Sequence, residues 1–334
     1  MNNFERKSIF LWTIGFLSIS IILIFSYFNF SNTETIFADP ITKFFINKIE
    51  PRNKFPIPRP NTEELQLSAE SFISVFVPNE TSSSNAKNST NDQDMILVEK
   101  NKDKQLPIAS ITKLMTALVA SEKYKINDTI TVTEDSLKID GLSGIYKAGD
   151  RFFFYNAMRA MLIASHNEIA NTLASQTDSA SFINSMNKKA SELSLINTGF
   201  INPTGLDPEI SSGPINHSTT FDIYKLAKYI KENDPNIFYI TTQKEFDLFD
   251  VDKNFISTIK NTDKLLSDPG VPFIIVGGKT GETDLAKQNL ILITDTPCEG
   301  KIFSVVLGSQ NRFEDMKKIL QYINSSFDWS CPEK

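Results

Sequence analysis

A serine and a lysine three residues apart on a helix share one face, so the lysine amine can take the proton of the serine hydroxyl. The sequence contains four Ser-x-x-Lys tetrads: Ser84/Lys87, Ser110/Lys113, Ser185/Lys188 and Ser257/Lys260. Only Ser110 lies in the first turn of a strongly apolar helical pattern, which begins near Pro107. An inward-pointing Lys113 would lose solvation there, and its pKa would fall as a general base requires. We therefore predict a nucleophile at Ser110 and its base at Lys113, although the tetrad alone also fits a surface serine beside a lysine that reaches solvent.

A second candidate motif is Ser165-His166-Asn167, one of five Ser-x-Asn triplets in the sequence. It separates two helical patterns, MRAMLIA and NEIANTLAS, so a short loop there can aim both polar side chains at one point. The alternative is that Ser165 only caps the second helix.

A third candidate motif, Lys279-Thr280-Gly281, occurs once and directly follows the predicted strand 273–276. Its glycine leaves room for a substrate backbone, while the lysine and threonine side chains offer hydrogen-bond donors to an anion. The alternative is an ordinary glycine-rich turn.

The surrounding patterns indicate which elements position these motifs. Strand patterns cover residues 71–77, 95–98, 273–276, 290–294 and 302–307, with short strands and turns over 127–151. Helical patterns begin near Pro107 and cover residues 154–176, 180–194, 219–232 and 312–327. Strands at both ends with helices between them predict an α+β domain, in which one sheet is built from both ends and a helical insert separates its halves.

The three motifs are weak singly and specific jointly. Their order is that of the S-x-x-K, S-x-N and K-T-G set of serine acyl-transferases that act on penicillin and peptidoglycan. The sequence resembles the serine-type D-Ala-D-Ala carboxypeptidases, the low-molecular-mass penicillin-binding proteins of peptidase family S11. The resemblance covers about residues 68–310 and includes PIASITKLMTA (107–117), LIASHNEIA (162–170), FINPTGLD (200–207), HSTTFD (217–222) and GKTGET (278–283). It implies a β-lactamase/transpeptidase-like fold with an antiparallel sheet flanked by helices.

The resemblance also implies a mechanism. Ser110 would attack the carbonyl between the two terminal D-alanines of a muropeptide, and Lys113 would take its proton. Ser165 would relay a proton to the departing amine, and Asn167 would hold the amide side of the substrate. β-Lactams would inhibit by acylating Ser110. No metal and no organic cofactor is implied.

The remaining site residues follow from the same resemblance. Lys279 and Thr280 would bind the terminal carboxylate of the substrate, and Gly281 would leave room for the substrate backbone along the strand. The backbone N–H groups of Ser110 and Glu282 would form the oxyanion hole, a type of donor that typically contributes about 10²–10³ in rate.

Two residues depart from the usual family pattern. Glu282 follows the K-T-G glycine, where a carboxylate weakens binding of a free substrate carboxylate unless it points away. A D-alanyl endopeptidase that cuts cross-links is therefore an alternative to strict carboxypeptidase action. His166 is a less usual central residue of the S-x-N triplet, and we expect either a packing role or a substrate contact.

Two further classes of protein compete with this interpretation. A class A-like β-lactamase needs a deacylating glutamate about 36 residues after the S-x-N serine, and position 201 is Ile. A non-catalytic penicillin-binding-like module predicts damaged motifs, and all three motifs are intact.

The overall composition excludes other functions. A net charge of -6 and a pI near 5.2 provide no basic field for a nucleic-acid backbone, so no nucleic-acid partner is expected. The two His and two Cys residues are too few and too scattered for a Cys/His metal site.

The N-terminal part carries a membrane signal. Residues 8–33 contain no charge, and a helix over 8–30 is long enough to span a bilayer. Arg6 and Lys7 precede the run, so the positive-inside rule places residues 1–7 in the cytoplasm and the rest outside the cell membrane. The alternatives are a cleaved signal peptide, with an acceptable site at Ala38, and a buried core helix.

The predicted anchor divides the chain. Residues 31–66 are rich in proline and read as a tether, and residues 67–334 as the catalytic domain. We therefore predict a single-pass membrane protein with an extracytoplasmic catalytic domain whose partners are peptidoglycan muropeptides.

The two cysteines are predicted to pair. Cys298 precedes the strand 302–307, and the final helix must return along that strand by a similar length of roughly 23 Å. Cys331 should therefore end near Cys298, and a disulfide fits an oxidising location outside the cytoplasm.

Overall fold

The computed structural model describes residues 55–60, 65–79, 94–210 and 212–330, all within one compact unit that covers 54–334. The predicted cytoplasmic end, the predicted anchor 8–30 and most of the predicted tether lie outside the described residues. None of the helices in the described ranges is long and apolar enough to cross a membrane.

The strands are named in chain order. Within the described residues they are β1 (Ile57–Pro58), β2 (Ser71–Pro78), β3 (Met95–Lys100), β4 (Leu106–Pro107), β5 (Thr129–Thr131), β6 (Arg151–Phe153), β7 (His217–Ser218), β8 (Glu245–Phe249), β9 (Phe255–Lys260), β10 (Ile274–Thr283), β11 (Lys287–Asp295), β12 (Gly300–Ser309) and β13 (Phe327–Asp328).

The helices are named in the same way. Over the same ranges they are α1 (Lys113–Lys123), α2 (Phe154–Ile163), α3 (Asn167–Ser175), α4 (Ser179–Glu192), α5 (Thr220–Asn233), α6 (Asn236–Thr241) and α7 (Arg312–Ser326). Short 3₁₀ turns cover Ala109–Thr112, Asp135–Leu137 and Lys264–Ser267.

The central sheet has five antiparallel strands in the order β10-β11-β12-β2-β3. The N-terminal strand β2 pairs with β12, and Ile73 lies opposite Val305. This topology confirms the predicted α+β fold with a sheet assembled from both ends of the domain.

Strand β2 is apolar at nearly every position because helices cover both faces of the sheet. Ile73 and Val75 belong to the core that the helical insert forms with one face. Phe72 and Phe76 belong to a second core, which packs under α7 on the other face. Successive side chains of a strand point to opposite faces, so both sets must be apolar.

One predicted helix of the helical insert is divided in the structure. The predicted helix 154–176 is two helices, α2 and α3, and Ser165 lies between them with φ at 64°. The S-x-N triplet thus lies at the break between two helices, as its position in the sequence predicts.

Two further differences concern strands. The K-T-G motif, predicted to follow a strand that ends at 276, lies inside β10, where main-chain pairing with β11 continues through Thr283. The antiparallel hairpin of β8 and β9 has no counterpart in the sequence prediction. Glycine and charged residues have low strand propensity, so side-chain patterns do not reveal strands that backbone pairing extends.

Candidate active site

Ser110 lies in the 3₁₀ turn that precedes α1, and the preceding residue, Ala109, has an unusual positive φ of 46°. The neighbouring loop fixes this conformation by close packing. A Cβ on Gly205 would lie 1.9 Å from the Ala109 carbonyl oxygen, so only glycine fits at that position. The backbone before the candidate nucleophile is therefore held by contact with residues almost a hundred positions later in the chain.

Lys113 is completely buried and contacts three oxygen atoms. Its Nζ lies 2.8 Å from each of Ser110 Oγ, Asn167 Oδ1 and the Thr204 carbonyl oxygen. Burial lowers the pKa of Lys113 well below its usual value, and the nearby charge of Lys279 lowers it further. The neutral amine is therefore favoured far more than in water.

The three partners of Lys113 match a neutral amine. Such an amine has two N–H donors and one lone pair, and the Asn167 Oδ1 atom and the Thr204 carbonyl can only accept hydrogen bonds. With both donors used there, the lone pair faces the one partner that can donate, the Ser110 hydroxyl. The arrangement can remove the proton from Ser110.

The Thr204 carbonyl is positioned by two amide side chains. Asn202 Oδ1 accepts hydrogen bonds from the backbone N–H groups of Thr204 and Gly205, at 3.1 and 2.6 Å. Asn216, which is fully buried, donates from Nδ2 to Thr112 Oγ1 and to the Asn202 carbonyl, both at 2.9 Å. The FINPTGLD loop is thereby tied to the turn that carries the candidate nucleophile.

Ser165 and Lys279 form the second polar pair. Lys279 Nζ donates to Ser165 Oγ at 2.9 Å and to the Thr280 carbonyl at 3.0 Å. Burial lowers the pKa of Lys279 to about 7, with a further lowering by Arg312 and an opposing effect of Asp263. Ser165 therefore connects to a lysine that changes protonation near neutral pH.

The K-T-G strand runs beside the turn of Ser110. A Cβ on Gly281 would lie 2.9 Å from the Ile108 carbonyl oxygen and 3.1 Å from the Ser110 nitrogen. The two segments that carry the predicted oxyanion donors, Ser110 and Glu282, are therefore adjacent. Thr280 Oγ1 lies 2.6 Å from Thr262 Oγ1, so a second hydroxyl supports the predicted anion site.

Residues 166–168, which include the last two residues of the S-x-N triplet, each contact the loop over 140–146. The Tyr146 hydroxyl lies 2.7 Å from His166 Nδ1, and Asn167 Nδ2 donates at 3.3 Å to the carbonyls of Asp140 and Gly141. Glu168 Oε1 accepts hydrogen bonds from Ser143 N–H and Oγ–H. His166 thus has a packing contact, one of its two predicted roles.

Glu282 is paired with a buried arginine. Its Oε2 lies 2.7 Å from Arg312 Nη1, which also donates to the Gly281 carbonyl at 3.1 Å. The carboxylate therefore faces a cation of this chain.

The two other Ser-x-x-Lys tetrads within the described residues form no comparable pair. On α4, Ser185 donates to the Ser181 carbonyl and Lys188 lies 3.7 Å from Glu192. Ser257 and Lys260 lie on β9, where residues three apart face opposite sides. Ser84 and Lys87 lie outside the described residues.

The predicted disulfide is described on one side only. Cys298 is buried and is not a free thiol, whereas Cys331 lies outside the described residues. Their pairing stays a prediction.

The structure brings Ser110, Lys113, Ser165 and Asn167 together with the Lys279-Thr280-Gly281 strand. The sequence prediction missed several residues that support these groups: Thr204, Thr262, Glu168, Tyr146 and Arg312. The acceptor at Thr204 is a backbone carbonyl, and every residue type has one, so the sequence could not predict this contact.

The fold and the site define a class of protein. A five-stranded antiparallel sheet with a helical insert, and the three motifs meeting at its edge strand, form the penicillin-binding protein fold. A family model described as D-alanyl-D-alanine carboxypeptidase, peptidase S11, matches residues 79–311. The chain belongs to this family.

Individual relatives agree with this membership. The chain is 29% identical over 246 residues to the D-alanyl-D-alanine carboxypeptidase DacF of Bacillus subtilis, a match that covers 71% of this chain and 60% of that protein. It is 33% identical over 211 residues to a D-alanyl-D-alanine endopeptidase of Haemophilus influenzae, a match that covers 60% of this chain and 66% of that protein. The chain thus spans less than two thirds of the length of these curated relatives.

A solved structure is similar along almost its whole length. Penicillin-binding protein D2 of Listeria monocytogenes, in its cefotaxime-bound form, is 26% identical with a TM-score of 0.63. The match covers 78% of this chain and 99% of that one.

Proposed function

We propose that this protein is a serine D-Ala-D-Ala carboxypeptidase that removes the terminal D-alanine from peptidoglycan stem peptides. The observation that carries the proposal is the environment of Lys113, whose buried amine is 2.8 Å from Ser110 Oγ and has two other acceptors for its protons. Membership in the carboxypeptidase family and the name of the B. subtilis relative support the choice of substrate.

In the first step, Ser110 Oγ bonds to the penultimate D-alanyl carbonyl carbon and its proton passes to Lys113 Nζ. The developing oxyanion is stabilised by the backbone N–H groups of Ser110 and Glu282. The bond to the terminal D-alanine nitrogen then breaks, and that nitrogen receives a proton through the Ser165 hydroxyl. The products are free D-alanine and an ester on Ser110.

In the second step, water attacks the ester carbonyl carbon, and one of its protons passes through Lys113 to the Ser110 oxygen. The C–O bond to Ser110 breaks, and the shortened peptide leaves with a new carboxylate. Asn167 holds the amide side of the substrate, and its Nδ2 must release the Asp140 and Gly141 carbonyls when it does so.

Binding of the terminal carboxylate involves Lys279 and Thr280. A charge-assisted hydrogen bond of this kind contributes about 1.5–3 kcal/mol. The Thr280 hydroxyl also meets Thr262 Oγ1, so it can donate to the carboxylate while accepting from its neighbour.

Labelling with a fluorescent penicillin tests the acyl-enzyme. We expect covalent labelling of the wild type and none of Ser110→Ala. Ser185→Ala is a matched control, because Ser185 belongs to another Ser-x-x-Lys tetrad and its hydroxyl donates to the Ser181 carbonyl on its own helix. Labelling that survives Ser110→Ala refutes the proposal. Incubation with a pentapeptide muropeptide and mass detection of D-alanine tests the carboxypeptidase step.

A D-alanyl endopeptidase is the second candidate function. The pairing of Glu282 with Arg312 places a carboxylate next to the K-T-G strand, and the H. influenzae relative is named as an endopeptidase. Cleavage of cross-linked dimers without release of D-alanine from monomers would favour this function.

We further propose that residues 8–30 anchor the protein in the cell membrane, with the catalytic domain outside the cytoplasm. The charge-free run and the preceding Arg6 and Lys7 support this topology. Membrane fractionation of the full chain, compared with a chain that starts at residue 31, tests it. Loss of the membrane-bound fraction is expected in the shorter chain only.

A further inference from the structure

Glu282 lies on the same face of β10 as Thr280, one of the two side chains proposed to bind the substrate carboxylate. Thr280 and Glu282 are two residues apart on one strand, so their side chains point to the same side, about 6.6 Å from each other along the strand. The Glu282 carboxylate is therefore a fixed negative charge beside the proposed anion site.

Two neighbours hold Glu282 in place. Arg312 Nη1 contacts its Oε2 at 2.7 Å, and Gln288 Nε2 contacts its Oε1 at 3.4 Å. Gln288 also accepts the backbone N–H of Arg312 at 3.1 Å through Oε1, so all three residues form one hydrogen-bonded group.

Arg312 supplies the positive charge of this hydrogen-bonded group. It is buried, and its Nη1 also donates to the Gly281 carbonyl, inside the K-T-G motif itself. Among the described residues no hydrogen-bond partner faces its buried Nε. Its charge also acts on Lys279, because it lowers the pKa of that lysine. The positive field of Arg312 therefore extends to the proposed carboxylate site.

We infer that Glu282 is a specificity-determining residue, because by pairing with Arg312 it reduces the advantage of substrates with a free terminal carboxylate over substrates whose carboxylate is masked as an amide or ester. The inference rests on the proposed acyl-enzyme function and deepens it. The chain itself supplies the carboxylate that neutralises Arg312, so an anionic substrate gains less attraction there. A substrate whose terminal carboxylate is masked has no such attraction to lose.

The variant Glu282→Gln tests this role, because it keeps the shape and the backbone N–H but removes the charge. Acylation rates are measured with ampicillin, which carries a carboxylate, and with its methyl ester, which does not. A partly exposed charge interaction corresponds to about a three- to fivefold change, so we expect the ampicillin-to-ester rate ratio to rise by that factor.

Asp284→Asn is the matched control, since it removes an exposed carboxylate from the same hairpin and should leave the ratio unchanged. A rate ratio in Glu282→Gln equal to that of the wild type overturns the inference alone. A wild type that neither compound acylates overturns the proposed function as well. An equal rise in Asp284→Asn also overturns the inference, because any nearby negative charge would then have the same effect.

Discussion

The α-carbon of Gly205 faces the carbonyl of Ala109 so closely that a Cβ at position 205 would lie 1.9 Å from the oxygen. Gly205 also adopts φ of 84°, a conformation that residues with a side chain rarely take. The same loop supplies the Thr204 carbonyl to Lys113. A single glycine therefore links the backbone before the nucleophile to the partner of its base.

Substitution Gly205→Ala should abolish penicillin labelling, because the collision must displace either the Ser110 turn or the Thr204 carbonyl. Gly149→Ala is the control: Gly149 also has a positive φ, of 93°, but a Cβ there would meet nothing within 4 Å. The control should lose only about 1–2 kcal/mol of stability and keep its labelling. Equal labelling of both variants would contradict the role of the close contact.

The rate of acylation should depend on pH in a bell shape. The rising limb reports loss of the proton from Lys113, whose pKa is lowered well below its usual value by burial. The falling limb reports loss of the Lys279 charge, with its pKa lowered to about 7 by burial, because a neutral amine attracts a carboxylate less. Stopped-flow acylation by ampicillin between pH 5 and 10 measures both limbs.

Lys279→Arg separates the two limbs. Arginine keeps its charge throughout this range, so the falling limb should move to higher pH or disappear while the rising limb stays. A falling limb that is unchanged in Lys279→Arg would show that another group is responsible.

Asn216→Asp should destabilise the domain by about 2–3 kcal/mol, because the new oxygen faces the Thr112 hydroxyl and the Asn202 carbonyl where an N–H₂ group now donates. Urea unfolding measures the change. Asn233→Asp is the control, because the exposed Asn233 side chain donates to the Tyr229 carbonyl one turn earlier in its own helix. The loss of stability in this variant should stay below about 1 kcal/mol.

The predicted bond between Cys298 and Cys331 should stabilise the domain by about 3–4 kcal/mol in the chain-entropy model. Alkylation of the native, unreduced protein followed by mass spectrometry should find no modified cysteine. Two alkylated thiols in that experiment would disprove the bond.

The sequence predicted the α+β fold class, and it pointed to the three motifs that the structure brings together. The motifs of Ser110, Ser165 and Lys279 are recognisable because their chemistry depends on side-chain types at fixed spacings. The central sheet followed from apolar strands, and β2 in particular is apolar on both faces.

What the sequence missed depends on backbone atoms or on distant partners. The acceptor at Thr204 is a carbonyl, and the guanidinium at Gly281 comes from Arg312, 31 positions later in the chain. The β8–β9 hairpin is an exposed ribbon with short alternation, which a search for longer runs does not detect. Such features follow from tertiary contacts rather than from local pattern.

The placement of β2 inside the sheet has a consequence for biosynthesis. Ser74 Oγ meets Ser304 Oγ at 2.8 Å although the residues are 230 positions apart. At translation rates of about 5–20 residues per second, β2 must wait roughly 10–50 s for its partner β12 to be made. During that interval a largely apolar strand is exposed with the edge that later pairs with β12 still open, and such nascent chains aggregate or are bound by chaperones.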